Sequence, residues 1–208
     1  MMPFPLDRPA RIGVLVSGRG TNLEALMRAY PPGGADRGAL GEVCLVISNR
    51  AGASALAKAQ AAGVAALHLA FGDRARFEEE AHAALTAAGV DLVCLAGFMR
   101  ILSPDFVRRY RGRLLNIHPS LLPAHRGLHA QRQALEAGVH ESGCTVHFVD
   151  EGVDSGAIIV QRRVPVLAGD TEESLTDRIR AEEHLAFPEA VRLVLTGRIA
   201  QGHEEVRE

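Results

Sequence analysis

The chain has 208 residues, 47% of them hydrophobic and 23% charged, with a formal net charge of -2. That length suits one domain with a substantial core, and the near-neutral balance excludes the strongly basic footprint of a nucleic-acid binder. The three cysteines have no metal-ligand spacing and sit in apolar runs, which reads as free thiols in a reducing compartment.

Residues 1–10 hold three prolines and no apolar stretch long enough for a signal peptide or membrane span. They predict a disordered lead-in to a cytoplasmic protein that does not engage membranes. A first strand over 12–17 leads into the glycine-bearing turn 18–22 and a helix over 23–30. A proline- and glycine-rich surface loop follows over 30–41. Strand 43–48, helix 53–62, strand 65–69 and helix 74–87 come next, with Gly63 and Gly89 ending the two helices. The apolar run 91–96 is a buried fourth strand. Ser103 then Pro104 is a helix start, a capping hydroxyl followed by a residue that needs no N–H partner.

Pro119 cuts short a fifth strand over 114–117, and Gly138 stops a helix over 130–137. Strands 144–149 and 158–164 are joined by an acidic loop. A last helix covers 171–195, expected to bend at Pro188, and 201–208 is a tail. Short apolar runs alternating with amphipathic segments predict an α/β domain over 11–200, with a mostly parallel, twisted sheet. Ligands of such sheets bind where the strands end. The chemistry is therefore expected where 17–22, 97–102 and 116–119 meet.

Ser17-Gly18-Arg19-Gly20-Thr21-Asn22 lies between a strand and a helix, where glycines and free N–H groups suit an anion such as phosphate. It lacks the dinucleotide spacing and the lysine of a nucleotide loop, so an ordinary tight turn is equally open. Asn116 and His118 share a face at the end of their strand. An amide donor beside an imidazole can hold an oxyanion and move a proton; a polar pair satisfied at the sheet edge is the alternative. Asp150, Glu151 and Asp154 form either a solvated turn or a source of one carboxylate for His118, whose pKa it would raise. His118, His125, His129 and His147 match no zinc spacing, and no metal is expected.

These residues fall in stretches that resemble the glycinamide ribonucleotide formyltransferase family. The stretches are S-G-R-G-T-N-L-E-A-L, L-A-G-F-M-R-I-L-S-P and L-L-N-I-H-P-S-L-L-P followed by G-L-H. H-F-V-D-E-G-V-D-S-G, V-P-V and a late E-H before Phe187-Pro188 continue in order, so the resemblance covers about 11–199. It implies a Rossmann-like formyltransferase fold with helices on both faces of the sheet. It also implies transfer of a formyl group from 10-formyltetrahydrofolate to the amine of 5'-phosphoribosylglycinamide in purine biosynthesis, with small-molecule partners and a monomer or homodimer. By that resemblance Asn116, His118 and Asp154 are catalytic, Asp154 keeping His118 charged. Gly20, Thr21 and Asn22 hold the substrate phosphate, and Glu183 the glycinamide end. Arg74, Met99, Arg100, Ile101, Leu102 and Asn116 bind the folate.

Arg126, Gln131 and Arg180 depart from the family pattern, and the last two bear on acceptor contacts. Three enzymatic alternatives share the donor side: a formyl-folate hydrolase, a transfer-RNA formyltransferase and a sugar-nucleotide formyltransferase. The first two are expected to carry a further domain. A non-catalytic binding module is expected to have lost at least one of Asn116, His118 and Asp154, and all three are present.

Overall fold

The computed structural model describes residues 4–34 and 38–199. Five strands run parallel: β1 (Ala10–Val16), β2 (Gly41–Ser48), β3 (Ala65–His68), β4 (Leu92–Leu95) and β5 (Leu114–His118). Two more, β6 (Glu141–Phe148) and β7 (Ile158–Pro165), extend the β5 side antiparallel. The sheet order is β3-β2-β1-β4-β5-β6-β7. The chain winds outward from β1 to β3 and then restarts on the other side of β1 with β4. The carboxyl ends of β1 and β4 therefore flank the point where a crevice opens in such sheets.

Helices α1 (Thr21–Ala29), α2 (Ser54–Ala61), α3 (Arg74–Ala87), α4 (Pro104–Arg109), α5 (Ala130–Glu136) and α6 (Glu172–Leu195) cover both faces. The period of two along β1 decides which core each side chain joins. Ile12, Val14 and Val16 enter one cluster with Leu23 and Leu26 of α1 and with Ile179, Phe187 and Val191 of α6. Leu15 points the other way, toward Phe77 and Leu85 of α3 and Phe106 of α4. A strand buried on both faces reads as a continuous apolar run, as the first strand does.

The expected start of α4 holds, and two further caps appear. Ser103 caps α4 through Phe106 N–H at 3.2 Å with Pro104 in its first turn. Asp73 caps α3, accepting from Ala75 and Arg76. Thr171 and Ser174 close a reciprocal cap on α6. Pro188 lies inside α6, which continues past it to Leu195.

Several boundaries shift by a residue or two, and three departures from expectation have clear physical reasons. Helix α1 starts at Thr21, not at 23, because Gly20 already adopts the left-handed conformation that ends the turn. Strand β6 starts at Glu141, ahead of the expected 144, because Ser142 and Gly143 pair with Val164 and Arg163. Residues 4–9, expected within a disordered lead-in, instead lie against the domain. Phe4 is buried in the first cluster, and Arg8 makes two 2.7 Å hydrogen bonds to the Asp91 carboxylate. The expected tail over 201–208 lies outside the described residues.

Cys94 and Cys144 are buried, and Cys44 is half-buried with its thiol 3.6 Å from the Ile12 carbonyl. Burial pushes all three thiols up, Cys144 to about 12. Among the described residues, no helix is long and apolar enough to cross a membrane.

Phe77 is fully buried and stacks with Phe98 at 5.7 Å. Phe77→Ala is expected to lower stability by about 3–5 kcal/mol, read as a reduced midpoint in equilibrium urea unfolding.

Candidate active site

The first loop delivers a bare helix end. Gly20 sits at φ 73°, and a Cβ there would come 2.7 Å from that of Ala55, so no larger residue fits this approach. No side chain caps α1, which leaves its first N–H groups free toward an anion. Helix α2 holds the loop from behind, with Ala55 N–H on the Gly18 carbonyl at 3.3 Å and the Ser54 hydroxyl on that of Arg19 at 3.3 Å.

Glu183, distant in sequence, arrives at the same place. The Asn22 amide donates to its carboxylate at 2.8 Å, and Asn22 Oδ1 is buried without a partner among the described residues. Burial pushes the Glu183 carboxyl up, against the Asn22 hydrogen bond and the Arg180 charge, which act to lower it. A cleft of about 370 Å³ beside the loop is lined by Arg19, Glu172, Glu173, Thr176, Asp177 and Arg180. Arg180 pairs with Asp177 at 2.6 Å.

The second loop, 97–102, is tied at both ends. Met99 N–H donates to the Ser17 hydroxyl at 2.8 Å, and the buried Glu78 accepts from Ser103 N–H at 2.6 Å and from the Ser103 hydroxyl. Between these ties Met99 and Ile101 project into solvent, while Leu102 is buried. The N–H groups of Arg100, Ile101 and Leu102 have no protein partner among the described residues. The Arg100 guanidinium lies over the Phe71 ring at 5.2 Å. Arg74 opens α3 and lines a second cleft, of about 280 Å³, with Glu78, Ser103, Phe106 and Arg109. Asn116, His118 and Asp154 line neither cleft.

Those three side chains meet at the end of β5. His118 Nδ1 lies 3.3 Å from Asp154 Oδ2, and Asn116 Nδ2 lies 3.5 Å from Asp154 Oδ1. Asp154 reaches them from the 150–156 loop in the left-handed region, φ 50°, which aspartate tolerates better than most residues. Asp150 organises that loop by accepting from Gly152 N–H and the Ser155 hydroxyl. Gly127 N–H gives Asp154 Oδ2 a further bond, 2.9 Å.

A residue that sequence reasoning left in the strand core completes the group. His147 pairs directly across from Asn116 between β5 and β6, and its ring is buried. His147 Nδ1 lies 2.7 Å from the Phe148 carbonyl, so the hydrogen is there and Nε2 accepts from Asn116 Nδ2 at 3.2 Å. His147 Nε2 is also 3.6 Å from Asp154. The signal available in the sequence was a polar residue in an apolar strand, but only the register of β6 tells which neighbour it meets.

The charge of His118 differs from expectation. Burial pulls its pKa below the ordinary value of 6.5. The His125 carbonyl and the Asp154 charge pull upward, His147 and His125 pull downward with burial, and burial prevails. The upward pull of Asp154 is thus outweighed rather than absent. His118 Nε2 lies 2.9 Å from the His125 carbonyl, which can only accept, so neutral His118 carries its hydrogen on Nε2. Its bare Nδ1 then faces Asp154, ready to take a proton. Asp154 itself is pushed up by burial but held below its ordinary range by His147, Gly127 N–H and His118.

The formyl transferase family matches residues 10–191. The chain is 46% identical over 191 residues to phosphoribosylglycinamide formyltransferase of Escherichia coli (strain K12), covering 90% of this chain and 88% of that one. It is 55% identical over 194 residues to trifunctional purine biosynthetic protein adenosine-3 of Drosophila melanogaster, covering 92% of this chain but spanning only 14% of that protein. Glycinamide ribonucleotide transformylase 1 from Symbiobacterium toebii superposes with a TM-score of 0.87 at 51% identity, over 95% of this chain and 93% of that one. Likeness of sequence and of fold over nearly the full length makes the chain a member of the formyl transferase family.

Proposed function

We propose that the chain transfers the formyl group of 10-formyltetrahydrofolate to the amine of 5'-phosphoribosylglycinamide, as a cytoplasmic enzyme of purine biosynthesis. Formylglycinamide ribonucleotide and tetrahydrofolate are the products. The observation that carries this reading is the meeting of Asn116, His118 and Asp154 at the end of β5. The names of the relatives in E. coli and S. toebii support the same acceptor.

In this reading the phosphate sits on the N–H groups of Gly20, Thr21 and Asn22, and Glu183 meets the glycinamide end. Arg100, Ile101 and Leu102 offer backbone N–H groups to the pterin, with Met99 and Ile101 covering its ring and Arg74 meeting the glutamate carboxylates. Met99 N–H is already committed to Ser17, so its amide is not among the pterin contacts.

The amine nitrogen bonds to the formyl carbon and the carbonyl oxygen becomes an oxyanion. The Asn116 contact to Asp154 is at the limit of a hydrogen bond, so that amide hydrogen is free to turn to the oxyanion, while His147 holds the amide in place. Asp154 takes the proton that the amine loses and passes it to the bare Nδ1 of His118, which leaves the Nε2 proton to be given up. The resulting imidazolium is stabilised by Asp154 and by the oxyanion beside it. Collapse then breaks the bond from carbon to the folate nitrogen, and His118 delivers the proton to that nitrogen. Substrate must displace the His125 carbonyl from Nε2 for this face of the ring to be used.

Three outcomes test the reading. Purified protein mixed with 10-formyltetrahydrofolate is expected to release tetrahydrofolate only when 5'-phosphoribosylglycinamide is present. Release without it means a hydrolase, and none with it refutes the acceptor. Asn116→Ala is expected to lower kcat about 100–1,000-fold with KM for the folate nearly unchanged, and a near-normal kcat refutes its role.

Since burial lowers the His118 pKa, the protonated fraction grows only below pH 6.5. The unfolded chain binds that proton first, so stability is lost as pH falls below 6.5 toward the folded midpoint. Asp154→Asn removes an upward influence, and an NMR titration is expected to find the His118 midpoint lower still. An unchanged midpoint refutes the coupling.

A further inference from the structure

Ser17 is buried at the end of β1, where the acceptor loop begins, and it touches the folate loop twice. Its N–H donates to the Gly97 carbonyl at 3.2 Å, and its hydroxyl accepts Met99 N–H at 2.8 Å. The same hydroxyl donates to Asn49 Oδ1 at 2.7 Å, just beyond β2. Both directions of the hydroxyl are thus fixed. Asn49 is buried as well, and among the described residues Ser17 is the one partner of its amide, Nδ2 having none.

On its other side Ser17 leads straight into 18–20, the segment clamped by Ala55 N–H, by the Ser54 hydroxyl and by the close contact of Gly20 with Ala55. The folate loop has its far end fixed by Glu78. Its near end is free to move only as far as Ser17 moves. A phosphate drawn onto 20–22 and a pterin pressed against 100–102 therefore both pull on one side chain.

We propose that Ser17 is a positioning residue that couples the two substrates, setting the folate loop at a register that depends on occupancy of the acceptor loop. The proposal rests on the assignment of those two loops given above. Coupling of this kind is reciprocal: each ligand changes the affinity of the other by the same factor. One internal hydrogen bond supports a factor of about three to ten.

The test is calorimetry on the full chain with 5,8-dideazafolate, which carries no formyl group, and 5'-phosphoribosylglycinamide, each titrated alone and with the other saturating. The wild-type protein is expected to give reciprocal affinity changes of about three- to tenfold. Ser17→Ala is expected to bind each ligand with the factor reduced to within about twofold of unity. Loosening of the fold alone would lower both affinities and leave their ratio intact, so the ratio separates positioning from general damage.

Independent binding in the wild-type protein overturns the proposal while leaving the loop assignment standing. Failure of either ligand to bind both alone and with the other saturating removes the assignment and the proposal with it. A wild-type ratio retained in Ser17→Ala also overturns it. If Ser17→Ala does not fold, Asn49→Ala, which frees the hydroxyl to rotate, is expected to shrink the ratio likewise, and an unchanged ratio there overturns the proposal.

Discussion

A carboxylate drawn out of water must be met by hydrogen-bond donors or by charge, and Asp154 imposes that demand on everything around it. One of its oxygens accepts from Gly127 N–H and the other from Asn116, with the His118 and His147 rings standing beside them. Each partner comes from a different part of the chain. The antiparallel register of β5 with β6 sets Asn116 opposite His147, the loop after Pro119 supplies Gly127, and the 150–156 loop bends left-handed to bring the acid in. The fold beneath is ordinary α/β packing. Its contribution is to end three strands at the same rim.

The same crowding explains why the charge state of the site escapes reasoning along the chain. A carboxylate near an imidazole favours the cation, and that inference from composition is sound as far as it goes. What opposes it is the depth of His118 and the second imidazole of His147, and both come from tertiary packing. The resting site is a base with its acceptor nitrogen facing a carboxylate. This suits a reaction in which a proton must first leave the attacking nitrogen and then be given back to a departing one.

Elements with a strong period or a strong punctuation mark were legible. The cap at Ser103, the stop at Pro119 and the apolar run of β1 each act through neighbours a few residues away. Phe4 was not legible, because three prolines nearby argue for an extended chain while one aromatic ring in the core outweighs them. His147 was identified as a strand residue, but its function depends on a partner thirty-one positions away. The meeting of loops 17–22 and 97–102 was expected, but which of their atoms bond, Met99 N–H on the Ser17 hydroxyl, was out of reach. The resemblance to a family supplied residue roles that spacing left open, and the charged His118 that it implied is opposed by burial.

The three thiols have a use of their own. They lie on β2, β4 and β6, spread across the breadth of the sheet, and in each burial disfavours the reactive thiolate. A mild alkylating reagent therefore has little to attack until a strand is exposed. Half-exposed Cys44 would report small local openings, whereas Cys94 at the centre would wait for the whole sheet to come apart. The chain thus carries graded internal reporters of its own opening, needing no added label.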